Sequence, residues 1–368
     1  MKIIFAVVLL LHSLIHLMGV ARAFWPGSIP QLSRNITRTE GVFWLLSFSV
    51  LFAAFIFYFF RKEWWPATAI FGVILSQFLI SLNWQDARFA TLINLLILAM
   101  ALSAVGKNRF DNRVLKETSS ILSSAGSSYS LQNPEALPPI VQKWLKVSGS
   151  LDHPIPKTVR LEQQGEMRIT KKGKWMPFSA VQYFNAEAPA FVWKTRVKAF
   201  PLVDLSGRDK LQNGKGEMLI QLFSLFTVAH AAGDQKVDSG TLQRFLGEIC
   251  WFPSAALRPY LSWEQINDNS AKAVFNQEGL EVEGIFHFSA EGRLQSFEAM
   301  RYFGTGKDAK KEKWVIEVLK NDVFQGISVP SQCKVTWQLP EGDFHWLSLK
   351  ITSLEFDPKP YPLLTFSG

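Results

Sequence analysis

The sequence predicts a chain in two parts: an N-terminal bundle of four transmembrane helices, then an α+β domain built as a curved antiparallel β half-barrel with one or two helices. Three observations predict this. Apolar runs of membrane-crossing length crowd into residues 1–105. A charged and then serine-rich stretch separates them from the remainder. From Thr158 onward, short segments of strand-like character, bounded by turn residues, succeed one another with few breaks.

The apolar runs are residues 3–24, 41–60, 67–84 and 89–105. Each approaches or meets the roughly 17–25 residues that a helix needs to cross the hydrocarbon layer. A helix is required there because every backbone amide must find a partner without water. Trp25, Trp44, Trp64, Trp65 and Trp84 fall at or near the ends of these runs, where amphipathic rings prefer the headgroup level. Lys2 and Ala21-Arg22-Ala23 would also suit a signal peptide. The length of the run, its two histidines, and Gly19 on the face of His12 and His16 favour a retained helix.

Residues 1–105 hold seven Lys/Arg against three acids, which leaves 32 basic and 28 acidic residues for 106–368. The C-terminal part is therefore close to charge-balanced, and its tightest basic run, residues 307–313 (KDAKKEK), is interrupted by acids and reads as a solvated hairpin turn. Nucleic acid is not an expected partner. With the N-terminus inside, Lys2, Arg61, Lys62, Lys107, Arg109, Arg113 and Lys116 lie on the cytoplasmic side, against Arg22, Arg34, Arg38 and Arg88 outside. That excess places the C-terminal domain on the cytoplasmic face of a bacterial inner membrane.

Polar residues interrupt the apolar runs. His12 and His16 are one helical turn apart on one face of helix one. Ser76, Gln77, Ser81 and Asn83 sit in helix three, Asn94 in helix four, and Asp86 in the short polar turn between them. Such groups are costly against lipid, so they are expected to turn inward and pair. Two readings stand: a haem, metal or quinone site on His12 and His16, or an interhelical hydrogen-bond network of His12, His16, Gln77, Asn83, Asp86 and Asn94. His12-Ser13-Leu14-Ile15-His16 lacks the glutamate of a zinc-protease helix.

Residues 106–136 read as a serine-rich linker before a soluble domain at 137–368, and residues 140–147 as a short amphipathic helix after Leu137-Pro138-Pro139. Strands are expected at 159–169, 175–184, 190–199, 202–210, 261–266, 271–276, 280–289, 293–302, 313–320, 331–338 and 346–356. Lys171-Lys172-Gly173-Lys174, Glu291-Gly292 and residues 304–306 supply turns. Residues 216–228 are too uniformly apolar to assign. A helix interrupts the strands, capped by Asp238 or Ser239, with Leu242, Phe245, Leu246 and Ile249 as its apolar stripe. Its Arg244 and Glu248 fit an i,i+4 pair on the exposed face better than an acid–base set with Asp238.

Aromatic residues are dense in these strands. Trp175, Phe178, Phe184, Trp193, Trp251, Phe252, Phe286 and Trp337 are candidates to line an apolar ligand cavity on the concave face, or else to fill a solid core. Cys250 and Cys333 share no metal or redox spacing, and their apolar flanks suggest buried free thiols. No serine-nucleophile elbow, phosphate loop or dinucleotide fingerprint is present, so no catalytic residues are assigned.

Taken as a set, several motifs carry a resemblance: the His12–Leu17 segment HSLIHL, Ser76-Gln77, Trp84-Gln85-Asp86-Ala87, Leu137-Pro138-Pro139, Trp175-Met176-Pro177-Phe178, Phe191-Val192-Trp193, Trp251-Phe252-Pro253 and Trp337-Gln338-Leu339-Pro340. They resemble an uncharacterised bacterial family of multi-pass membrane proteins, the domain of unknown function numbered 6544. The resemblance implies a bacterial origin and no assigned activity. At fold level the soluble half is similar to the lipoprotein-carrier half-barrel, whose members bind lipid or acyl chains and are typically periplasmic. That side is opposite to the one given by the charge count, which is followed here. The expected function is non-enzymatic binding of a lipid or other apolar ligand beside the bilayer. Alternatives are a membrane redox or metal enzyme using His12 and His16, and a structural or signalling protein with a protein partner.

Overall fold

The computed structural model of the chain describes residues 2–25, 27–29, 32–124, 130–200, 203–304, 306 and 308–358. The chain divides into two compact units, residues 1–110 and 111–368. The first contains α1 (Lys2–Phe24), α2 (Arg38–Phe59), α3 (Trp65–Leu82), the single turn α4 (Trp84–Ala87) and the start of α5 (Ala90–Ser123). The helices α1, α2, α3 and α5 are each long and apolar enough to cross a membrane.

Local chemistry sets the ends of these helices. Thr37 caps α2 in a capping box with Glu40, and Pro66 stands in the first turn of α3, where its missing N–H costs nothing. Phe5, Leu9, Leu51, Ala54, Ala69, Val73, Ile97 and Ala101 form one buried cluster. Gly19 permits the closest approach, since a Cβ there would lie 2.2 Å from the Trp44 ring.

The fourth helix does not stop at residue 105 as the sequence suggested; α5 continues to Ser123. Phe110, Val114, Thr118 and Ile121 recur at helical spacing and are buried, whereas Ser119, Ser120, Ser123 and Ser124 lie on the exposed side. The serines that read as a flexible tether are thus, to this point, the solvent face of an amphipathic helix. Residues 125–129 of that tether lie outside the described residues.

The second unit is one antiparallel sheet of 13 strands, in the order β6-β5-β4-β3-β2-β1-β13-β12-β11-β10-β9-β8-β7. The strands are β1 (Thr158–Met167), β2 (Met176–Asn185), β3 (Ala190–Phe200), β4 (Val203–Gln212), β5 (Lys215–Leu222), β6 (Phe226–Ala232), β7 (Leu261–Asn267), β8 (Ser270–Gln277), β9 (Leu280–Phe288), β10 (Leu294–Phe303), β11 (Lys310–Phe324), β12 (Ile327–Leu339) and β13 (Gly342–Phe356). Two meanders therefore join where β1 pairs with β13. Residues 216–228, unassigned from sequence, form parts of β5 and β6, and the latter half of the basic run 307–313 is strand, not turn. Asn213-Gly214, Glu278-Gly279 and Gln325-Gly326 make two-residue hairpin turns with both φ angles positive, the twist that antiparallel neighbours need.

Since β6 and β7 lie at opposite edges of the sheet, the chain between them must cross it. It does so through α7 (Gln235–Glu248) and the turns at Ile249–Trp251 and Pro253–Leu257, which pack on the concave face and make the sheet a half-barrel. The helix α6 (Pro139–Val147) buries Ile140, Val141, Trp144 and Leu145 in the same core.

The tail of α5 is bound to the sheet by charge. Arg208 on β4 is fully buried, with its Nε 3.1 Å from Glu117 and its Nη2 2.6 Å from Glu217. Lys194 on β3, also buried, pairs with Asp111 at 2.7 Å. Burial alone would raise the Glu217 carboxyl, but Arg208, His230 and Lys210 outweigh it and hold the group at about 2, below the ordinary 4.5. A carboxyl depressed by folding contributes stability above its unfolded value, and that contribution is lost as pH falls toward the folded one. Thermal unfolding should therefore drop steeply between pH 4.5 and about 2, and Glu217→Gln should flatten this slope. An unchanged slope in that variant would refute the assignment.

Candidate functional site

The site grows from the crossing helix. The cap of α7 is Asp234, whose side chain accepts from Lys236 N, rather than Asp238 or Ser239 as expected. Asp238 is buried one turn later and accepts from Gly216 N at 2.8 Å and Lys215 Nζ at 2.9 Å. It therefore ties the helix to β5.

Leu242, Phe245, Leu246 and Ile249 enter the core, as their spacing suggested. The opposite side of the helix departs from expectation. Arg244 and Glu248 are not on a solvent face: the sheet curls past the helix, and both groups line an internal cavity. Arg244 Nε lies 2.8 Å from Glu248 Oε1, and its Nη1 lies 2.5 Å from Asp209 Oδ2 on β4. The guanidinium is stacked 4.7 Å from the Trp193 ring and 4.9 Å from that of Phe191. Gln182 donates to the other Glu248 oxygen at 2.7 Å. Burial pushes the Glu248 carboxyl upward against the pull of Arg244. With both oxygens engaged by donors, it is built to hold Arg244 in place, not to pass a proton.

The cavity has a volume of about 480 Å³, a size suited to a small apolar ligand. Its position follows from the register. On β3 and β4, Trp193 faces Asp209, Thr195 faces Gly207 and Val197 faces Leu205. Phe178 of β2 pairs with Val197. Four residues along a strand is about 13 Å, so the lining runs from a charged end at Asp209 and Arg244 to an apolar end at Val197, Leu205, Phe178 and Met176. Bare backbone at Gly207, between the two, leaves the channel open. Cys250 and Cys333 also line it; burial raises both thiols, Cys333 to about 12, so they act as small apolar groups.

Phe178, Trp193, Trp251 and Trp337 line this cavity. Phe184, Phe252 and Phe286 do not; all three are buried in solid core. Phe184 and Phe252 lie 5.0 Å apart by ring centroid beneath the crossing segment, and Phe286 packs at 4.8 Å on Phe297 and 5.8 Å on Trp144 of α6. Trp175 is half-buried, beside His345 and 4.6 Å from the Arg168 guanidinium. The concave face is thus packed under α6 and around Phe252, and hollow between α7, Cys250 and Trp251 on one side and the strands that carry Phe178, Trp193 and Trp337 on the other. No periodicity distinguishes these halves, because the filling comes from distant segments.

Within the first unit, four of the six polar residues expected to pair are brought together around Ser76. His12 Nε2 donates to Asn94 Oδ1 at 2.8 Å, and Asn94 Nδ2 donates to Ser76 Oγ at 3.0 Å and Gln77 Oε1 at 3.1 Å. His16 Nδ1 donates to the His12 carbonyl at 2.8 Å, which leaves its Nε2 to accept from Ser76 at 2.9 Å in the neutral tautomer. Among the described residues, His12 Nδ1 is the ring nitrogen of the pair without a hydrogen-bond partner. Asn83 and Asp86 lie outside the network. Asn83 caps α3 through the Leu79 carbonyl, and Asp86 accepts from Ser33 N and Oγ, both at 2.9 Å. Their position past the helix end gives them nearer backbone partners.

Comparisons with known proteins agree with a family lacking an assigned activity. No curated protein matches the chain. Among solved structures, the chain is similar to a LolA superfamily protein from Nitrosomonas europaea at 8% identity, over 62% of this chain and 96% of that one, with a TM-score of 0.35. It is also similar to a putative outer membrane lipoprotein-sorting protein domain from Vibrio parahaemolyticus at 10% identity, over 62% and 94%, with a TM-score of 0.36. A DUF1329 family protein from Desulfovibrio piger shares 11% identity over 60% and 92%, with a TM-score of 0.30. The family number differs from the 6544 that the motifs resemble: residues 135–356, from the turn before α6 to the end of β13, match the family of unknown function DUF6920, and the chain belongs to that family.

Proposed function

We propose that the half-barrel binds a lipid or another apolar molecule in the cavity beneath α7, in a protein held in the bilayer by its four apolar helices. The observation that carries this is the cavity itself: about 480 Å³ left unfilled in a domain whose remaining concave face is close-packed with aromatic rings. Interiors pack to near-crystalline density, so a void of this size lined by Met167, Met176, Val197, Leu205 and Leu347 is expected to hold something apolar. Of its charged groups, Arg244, Asp209 and Glu248 hold one another, which suits binding better than turnover.

The test is native mass spectrometry of the full-length protein, recovered from the membrane fraction in nanodiscs. The wild type should retain a lipid through removal of the bilayer lipids. Leu205→Trp fills the hollow end with an indole and should lose most of that adduct, at a stability cost of about 1–3 kcal/mol for overpacking. A wild-type protein that emerges bare, or a variant that keeps the adduct unchanged, would count against the reading.

A further inference from the structure

The cavity lining carries three guanidinium groups, Arg168, Arg244 and Arg301, against two carboxylates, Asp209 and Glu248. Both carboxylates are engaged by Arg244, at 2.5 and 2.8 Å. Arg168 donates to the His345 carbonyl at 2.7 Å and stacks on Trp175. Arg301 differs from both. Its guanidinium lies 4.7 Å from the Trp314 ring and 5.8 Å from that of Trp337, and it makes no hydrogen bond or ion pair with any described residue. Glu312, opposite it in the β10–β11 register, makes no ion pair with it. Burial and the nearby Arg244 lower it, and the charges of Asp209 and Glu248 partly oppose this, to about 10, which still leaves it charged at neutral pH.

Position adds a second argument. Arg301 lines both the apolar cavity and a smaller adjoining recess of about 160 Å³, whose polar groups are the carboxylates Asp209, Glu217 and Asp234 with Lys236, Thr241 and Arg244. It therefore stands where an apolar volume meets a polar one. Gly240 of α7 makes room for it, since a Cβ there would lie 3.3 Å from Arg301 Nε. A half-buried cation lining an apolar cavity with no hydrogen-bond acceptor is unfavourable, and a ligand that supplies an anion relieves this. A planar guanidinium presents paired donors that match a carboxylate or phosphate.

We propose that Arg301 is the headgroup anchor of this cavity and that its ligand is an amphiphile ending in an oxyanion, a carboxylate or a phosphate, with its chain lying toward Val197 and Leu205. This rests on the cavity reading above and names the ligand class for it.

The experiment uses the full-length protein in phosphatidylcholine nanodiscs and three diazirine-bearing probes on one chain: palmitic acid, the matching alcohol and the matching alkyl phosphate. Photolabelling is mapped to cavity peptides. In the wild type, the carboxylate or the phosphate should label with at least about tenfold higher apparent affinity than the alcohol, as a charge-assisted hydrogen bond provides. Which of the two does so identifies the source of the oxyanion. Arg301→Met should bring acid, phosphate and alcohol to one affinity, with an unchanged strand signal in circular dichroism showing that the variant is folded. Arg301→Lys should keep part of the preference. Equal labelling by all three probes in the wild type would overturn the anchor and leave the cavity reading standing. Absence of cavity labelling by every probe would overturn both.

Discussion

Replacing Phe252 by alanine is expected to lower the stability of the β domain by about 3–5 kcal/mol, the usual cost of emptying a buried phenylalanine site. Phe252 is fully buried, with Phe184 at 5.0 Å and Phe245 at 5.9 Å by ring centroid. It lies in the segment that carries the chain across the concave face, between turns closed by Phe252 N to Ile249 O and Ala255 N to Phe252 O. The pocket left behind would be walled by rigid rings from β2, α7 and residues 249–257, so little collapse can offset it. In a domain of this size the loss corresponds to a fall in midpoint of about 10 °C or more. Thermal unfolding of the full-length protein, followed by the strand signal in circular dichroism, would measure it. Phe226→Ala is the control: that ring is 64% exposed, and its removal should change stability by less than about 0.5 kcal/mol. If both variants melt together, the crossing segment does not hold the sheet closed.

The second large effect is expected at Arg208. Methionine there keeps much of the volume but leaves Glu117 and Glu217 without the buried one of the cations they share, at a cost of about 3–5 kcal/mol. Arg113 also bridges both carboxylates, at 3.2 and 2.9 Å, and Lys210 reaches them at 3.6 and 3.4 Å, but both cations are more exposed than Arg208 and offset only part of the loss. The mechanism predicts a specific rescue. Adding Glu217→Gln to Arg208→Met removes one of the two repelling charges and should recover about 1–3 kcal/mol relative to the single variant. A double variant no more stable than Arg208→Met would show that lost packing, not unpaired charge, is the cause.

Much of this architecture was legible in the residues. The four helices followed from length and apolarity, with tryptophans near their ends. Strand positions followed from alternation, as in β9, where Val282, Gly284, Phe286 and Phe288 turn inward and Glu281 and Glu283 outward. The half-barrel itself followed from many meandering strands with one helix among them. These features depend on neighbours within a few positions along the chain, and local spacing records them.

What the tertiary structure decided is which apolar surface is covered, and by what. Arg244 and Glu248 sit opposite the apolar stripe of α7, and on an ordinary surface helix that side faces water; here the sheet wraps both sides of the helix, and the pair is enclosed. Phe178 and Phe184 share one face of β2, yet Phe178 borders the cavity whereas Phe184 is packed against Phe245 and Phe252. Arg301 reads in sequence as one more charged residue on a strand, and only the approach of Gly240 and the two tryptophans shows a cation without a partner. A sequence determines the period with which a segment hides its side chains. Whether the hidden side meets protein or empty space depends on segments tens of residues away, and no local pattern contains that.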